Sequence, residues 1–264
     1  MAKLLFLGVA NDKIAIGGQL KSSEGIYLEF KNHKILIDPG PQASIKLNQH
    51  KINIRNITEV LISHFHCADL NILIDTITNG GLTQKCTLIA PLEATDYSLE
   101  KTSLIPKNEL ENIHFISPGQ YAKSGALSFQ GLKIKHKNYE GIGFKIIGDN
   151  LSLVYSGNTK HTEEISDLYV GASILILNIA TPSTNDLTFN SDYLNIDDAI
   201  KILKKVKPKL AVIQNFSEKI SNPIYHARKI QKETGVQTIA ANDNMTIDLD
   251  SYSALNNQKT LGGF

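Results

Sequence analysis

The chain has 264 residues, 42% of them hydrophobic and 20% charged, with a formal net charge of +1. These values sit near globular averages, so a sizeable core is expected and a largely disordered chain is not. A near-neutral balance argues against a protein-wide electrostatic footprint for nucleic acid or acidic membranes. Arg55 and Arg228 are the only arginines, so bidentate guanidinium clamps on phosphate are scarce. Two cysteines, Cys67 and Cys86, cannot build a disulfide framework or a four-cysteine zinc site. The opening run MAKLLFLGVANDK lacks the length and cleavage site of a signal peptide, and no stretch has the apolar length of a membrane span. A cytoplasmic protein with no membrane partner is expected.

Lys3 to Gly8 reads as an apolar strand. Gly25 to Phe30 and Lys34 to Asp38 read as a hairpin over Lys31-Asn32-His33, ended by Asp38-Pro39-Gly40 because proline cannot continue a ladder. Glu59 to Ser63 is a further strand that runs into His64-Phe65-His66. Leu70, Leu73, Ile74 and Ile77 recur at helical spacing after Asp69, a suitable N-cap, and Asn79-Gly80-Gly81 is the stop. Cys86 to Ala90 is a strand closed by Pro91, and Glu93 to Glu111 reads as a connection with one short helix. Ile113 to Tyr155 is all β. Beyond it strands and helices alternate: strand Ile174 to Leu177, helix Ile196 to Val206, strand Leu210 to Ile213, helix Pro223 to Thr234, then strands near Gln237 to Ala240 and Met245 to Leu249. Ser251 to Phe264 is polar and ends in glycine, as a loose tail would. The expected fold is α+β: a four-layer αββα sandwich of two mixed sheets with helices outside, in one domain over residues 1–250.

In Ser63-His64-Phe65-His66 the two imidazoles stand at i and i+2, on one side of an extended chain. Two histidines so placed at a strand end can grip one ion, and zinc accepts such ligands readily. Two surface or capping histidines are the competing reading. His33, His50, His114 and His226 lie in turn, polar or helix-surface contexts.

The chain resembles the metallo-β-lactamase superfamily, and its tRNase Z-like and phosphodiesterase-like hydrolases in particular. The resemblance rests on Phe6-Leu7-Gly8, Ile37-Asp38-Pro39-Gly40, Ile62 to His66, the strand carrying His136 followed by Gly143-Phe144, and Tyr155-Ser156-Gly157-Asn158-Thr159. It continues in Leu194 to Ala199 and in Lys207-Pro208-Lys209-Leu210 leading to Asn215-Phe216. These weak motifs follow the family's order throughout. The resemblance makes His64, His66 and His136 the ligands of one metal. It also shows where the chain departs. The family's His-x-His-x-Asp-His becomes His64-Phe65-His66-Cys67-Ala68-Asp69-Leu70, with the aspartate displaced by one and leucine in place of the last histidine. The bridging aspartate falls on Asn158, a later active-site histidine on Tyr193, and the last ligand histidine on Asn215.

One site is thus kept and the other lost. Three neutral ligands leave a bound zinc its full charge, which lowers the pKa of water toward ~7. Manganese and iron are the alternative ions. Asp69, Tyr193 and His161 are the candidate catalytic groups, and Asp38 is expected to orient the site. Three functions compete. The first is one-metal hydrolysis of a phosphodiester or similar ester, with a small molecule or nucleotide as substrate. The second is a catalytically inactive scaffold that binds a protein or nucleic acid. The third is a purely structural zinc. Homodimerisation is expected by family analogy alone.

Overall fold

Strands that are apolar at nearly every position need cover on both faces, and the architecture provides it. The computed structural model describes residues 2–9, 25–64, 70–82, 85–94, 109–137, 140–182, 192–217 and 219–255. The first half contains β1 (Lys3–Gly8), β2 (Gly25–Phe30), β3 (His33–Ile37), α1 (Ala43–Gln49), β4 (Glu59–Leu61), α2 (Leu70–Thr78), β5 (Cys86–Ala90) and β6 (Leu110–Phe115). The second contains β7 (Tyr121–Ser124), β8 (Leu127–Lys133), β9 (Ile142–Gly148), β10 (Leu151–Tyr155), α3 (Glu163–Leu168), β11 (Ile174–Thr181), β12 (Leu194–Asn195), α4 (Ile196–Val206), β13 (Leu210–Gln214), α5 (Pro223–Thr234) and β14 (Thr238–Ala240). Two last strands, β15 (Thr246–Asp248) and β16 (Ser253–Leu255), return to the first sheet.

One sheet runs β16-β15-β1-β2-β3-β4-β5-β6, and the other β14-β13-β11-β10-β9-β8-β7 with β12 against β11. Each changes from antiparallel to parallel pairing along its length: at β3–β4 in the first, at β10–β11 in the second. Side chains alternate across each strand. Leu4 and Phe6 of β1 meet Phe129, Phe144 and Leu153 between the sheets, while Leu5 and Leu7 pack under Leu47 of α1 and Ile74 of α2. In β11, Ile174 and Ile176 face the opposite sheet, and Leu175 and Leu177 face Ile202 of α4 and Ile230 of α5. The result is the expected αββα sandwich. Each fully buried Leu, Ile or Phe contributes about 1.5–3 kcal/mol over leaving it in water.

The helices over Ile196–Val206 and Pro223–Thr234 start and stop where their caps place them. Asn195 and Asp198 form a capping box on α4. Asn222 caps α5 ahead of Pro223, and Gly235 (φ 72°) closes it, its N–H donating to the Gln231 carbonyl at 2.9 Å. Residues 256–264 lie outside the described residues, and within the stretch expected to be a loose tail Ser253–Leu255 pairs antiparallel with β15. These residues are exposed, so edge pairing rather than burial forms the strand, and no alternation marks it in the sequence.

The strand expected over Glu59 to Ser63 ends at Leu61, and the reason bears on the site. Past Leu61 the chain crosses to the other sheet. Ile142 N–H donates to the Ser63 carbonyl at 2.8 Å, and His64 forms an isolated antiparallel bridge with Gly141. This approach requires glycine: a Cβ on Gly141 would lie 2.6 Å from the Ser63 carbonyl oxygen and 3.0 Å from His64 Cβ. At the opposite end of β4 the buried Glu59 carboxylate also joins the sheets, accepting from Ser124 Oγ at 2.8 Å and lying 2.7 Å from His33 Nδ1. Gly141→Ala is therefore expected to destabilise the protein by about 1–3 kcal/mol in urea unfolding, since backbone must move to admit the methyl. Unchanged stability would contradict so tight a crossing.

Candidate metal centre

Asp38 ends β3 in a left-handed conformation (φ 44°), which an aspartate tolerates better than most residues. Its backbone N–H donates to the Leu61 carbonyl at 2.9 Å, which aims its carboxylate at the crossing. Three donors converge on that carboxylate. Ser63 N donates to Oδ1 at 2.7 Å, Ser63 Oγ to Oδ2 at 2.5 Å, and Tyr155 OH to Oδ2 at 2.7 Å. Ser63 belongs to the first sheet's end and Tyr155 to β10 of the second, so one carboxylate binds both.

Ser63 Oγ also lies 2.6 Å from Nδ1 of His64, a residue only 3% exposed. A serine hydroxyl has one proton, and here it goes to Asp38. The imidazole must then donate from Nδ1 to Ser63, which leaves Nε2 with its lone pair. A metal-ligating histidine is held in this way, with one nitrogen anchored through a relay to a carboxylate and the other presented bare. Facing Nε2, at 3.5 Å, is Nδ2 of Asn158.

Asn158 is itself held. Gly157 before it has φ 60°, and β9 passes close by: a Cβ on Gly143 would sit 2.7 Å from the Tyr155 carbonyl oxygen and 2.8 Å from that of Ser156. The Asn158 Oδ1 accepts from Asn178 Nδ2 at 2.8 Å and from Asn215 Nδ2 at 3.1 Å. Asn178 also donates to Tyr155 OH at 3.1 Å and accepts from Gln214 Nε2 at 2.9 Å. A buried chain of amides thus spans the ends of β10, β11 and β13. Asn158 and Asn215, which the resemblance sets at the positions of a bridging aspartate and a last histidine, are tied to each other and carry no charge. Among the described residues, no three His, Cys, Asp or Glu side chains are grouped to hold a metal; His66, Cys67 and Asp69 lie outside them.

His136 follows β8. The segment around Lys135 is fixed by Lys135 N donating to Thr159 Oγ1 at 2.9 Å, and Lys160 N donates back to the Lys135 carbonyl at 3.0 Å. The Tyr193 ring stands edge-on to the His136 ring, with centroids 5.2 Å apart and planes at 82°. A cavity of about 270 Å³ opens beside His136, lined also by Lys135, Glu93 and Glu140. His161 is turned toward the helices, with Nε2 3.0 Å from Ser166 Oγ and Nδ1 4.0 Å from Asp198 Oδ1. Burial holds the Asp198 carboxyl above the usual carboxylate range, against the lowering effect of the Asn195 backbone N–H and the His161 and Lys201 charges. Cys86 is buried in β5, and burial pushes its thiol up to about 12, which disfavours the thiolate.

Sequence reasoning missed Asn178 and Gln214 as site residues. A lone amide inside Ile174–Thr181, otherwise aliphatic up to its terminal threonine, was the available signal.

Residues 33–214 match the family described as the beta-lactamase superfamily domain, more than half of the chain. The chain belongs to this family of metallo-β-lactamase-fold hydrolases. An uncharacterised protein of Methanocaldococcus jannaschii is 25% identical over 255 residues, covering 94% of this chain and 95% of its own. Solved structures add the fold. The metallo-beta-lactamase fold protein YhfI from Bacillus subtilis aligns with a TM-score of 0.75 at 16% identity, over 93% of this chain and 98% of that one. The short form of human tRNase Z aligns at 0.71 and 16%, over 93% and 98%. A diphosphatase of the PhnP family aligns at 0.69 and 15%, over 94% and 98%.

The relay yields a direct prediction. Asp38→Asn keeps the shape but removes the charge that orders Ser63 and His64. Zinc affinity, measured by chelator competition, should fall about 10–100-fold. An unchanged affinity would show that the relay does not set the histidine.

Proposed function

We propose that this protein is a hydrolase working with one zinc ion, held by His64, His66 and His136, on a phosphodiester or related ester. The observation that carries this reading is the Asp38–Ser63–His64 relay, which commits Nε2 of His64 to accepting. The amides at Asn158 and Asn215 provide no anion to hold a second cation, which supports one ion rather than two. A bound zinc supplies a Lewis acid that polarises an ester oxygen and makes water more acidic.

The chain's own groups do the rest. Asp38 keeps His64 in one tautomer and orientation. Tyr193 packs against His136 and steadies its ring, and its hydroxyl is a proposed proton donor. Asp69 is the proposed base, since no other carboxylate is assigned that part. His161 would have to leave Ser166 to take part, so its role is the weakest of the three. The names of two solved neighbours, a tRNase Z and a diphosphatase, point toward phosphate esters as the substrate class.

The same amide network motivates the second reading, a non-catalytic scaffold for a protein or nucleic-acid partner, because uncharged groups occupy the positions of two former ligands. Metal analysis with turnover of bis(p-nitrophenyl) phosphate separates the two. The hydrolase reading expects about one zinc equivalent, with metal and turnover both lost in His64→Ala. Zinc without turnover would support the scaffold, and turnover that survives loss of all three histidines would sink the hydrolase. A further variant, Asn158→Asp, sets a carboxylate where the amide now faces Nε2 at 3.5 Å. Zinc should then bind more tightly in calorimetry, and no change would mean that residue 158 does not face the ion.

A further inference from the structure

Asp192, which precedes Tyr193, has a fully buried carboxylate that accepts no hydrogen bond at either oxygen. Removing a carboxylate from water without donors is costly unless a cation stands nearby. That cation is Lys160, whose Nζ lies 4.0 Å from Asp192 Oδ1. The separation is beyond hydrogen-bond reach, so the attraction holds the ammonium without using its N–H donors. Lys160 Nζ makes no hydrogen bond to any described residue, and the side chain is 34% exposed, so it opens to solvent.

Its place in the fold is what gives this pair meaning. Lys160 is two residues past Asn158, which faces His64, and its backbone is bonded to Lys135, the neighbour of His136. Tyr193, next to Asp192, packs on the His136 ring. The pair therefore sits on the segments that carry Asn158 and Tyr193, next to the segment of His136. Its ammonium is a positive charge on the same segment as Asn158, the amide that faces His64.

We propose that Lys160 is the anion-binding residue of this centre, receiving a phosphate-like group of the substrate, and that Asp192 is the counter-charge that keeps the ammonium in place when no anion is bound. This rests on the reading of the centre as a phosphoester-binding site. A lysine ammonium recognises phosphate as a compact point charge with three donors, which suits a chain poor in arginine.

Inorganic phosphate is the probe, titrated into the full-length protein with and without zinc and followed by calorimetry. Lys160→Met should weaken phosphate about tenfold or more, and Lys160→Arg should retain most of the binding. Because Lys160→Met strands a buried carboxylate, the double variant Lys160→Met/Asp192→Asn, neutral at both positions, guards against misfolding and should lose phosphate equally. Lys204→Met, which removes an exposed lysine of α4 away from the centre, should leave phosphate binding nearly intact. Unchanged binding in the folded double variant, or an equal loss in Lys204→Met, would overturn the assignment. Zinc binding is measured in parallel: a wild type that takes phosphate through Lys160 but binds no zinc would defeat the metal-hydrolase reading and leave this one standing.

Discussion

The Asp38 carboxylate is the point on which the architecture and the candidate chemistry both depend. It gathers a backbone N–H and a hydroxyl from the end of the first sheet and a phenol from the second. Hydrogen bonds to an ionised carboxylate are roughly twice as strong as neutral ones, so three of them on one residue fix the relative position of the sheet ends firmly. The crossing of Ser63 and His64 onto Gly141 and Ile142 lies beside it. The left-handed backbone of Asp38 is tolerable because the side chain is so completely used.

From that point the polar order spreads in two directions. Toward the histidines it sets a tautomer. Toward β11 and β13 it passes through Tyr155 into Asn178, Asn158, Asn215 and Gln214. Such amide networks keep a buried cleft specific and rigid when their members are satisfied. This one is satisfied where it touches His64 and incomplete at its margin, where Asn215 Oδ1 and Gln214 Oε1 accept no hydrogen bond. The amides themselves carry no charge, and Lys160 and Asp192, on the segments of Asn158 and Tyr193, form an ion pair 4.0 Å apart.

Much of this was legible in the residues. Apolar runs such as Ile174 to Leu177, buried on both faces, announced sheets covered twice, and the helices expected over Ile196 to Val206 and Pro223 to Thr234 form there, with caps at Asn195 and Asn222 that the structure adds and Gly235 closing the second. Helix α1 was not legible because Gln42 makes no capping hydrogen bond and the first turn holds no acid. Helix α3 does carry signals, Thr162 and two glutamates, but six residues are too few to show a 3.6-residue period. Of the candidate ligands among the described residues, His64 was readable from the His-x-His pattern and His136 by resemblance alone. The relay was not, because Asp38 and Ser63 are 25 residues apart and meet only when β3 and β4 pair in parallel. Asn178, Gln214, Lys160 and Asp192 were likewise invisible as a group, since their meaning comes from neighbours supplied by other strands.

The central claim is that Asp38, acting through Ser63, holds the His64 imidazole protonated at Nδ1 and unprotonated at Nε2. Nitrogen-15 NMR of the His64 ring in metal-free protein, at a pH where the ring is neutral, reads the tautomer directly. The account predicts a protonated Nδ1 and an unprotonated Nε2, with the pattern lost in a variant lacking the Asp38 carboxylate. A ring protonated at Nε2 in the wild-type protein would contradict it.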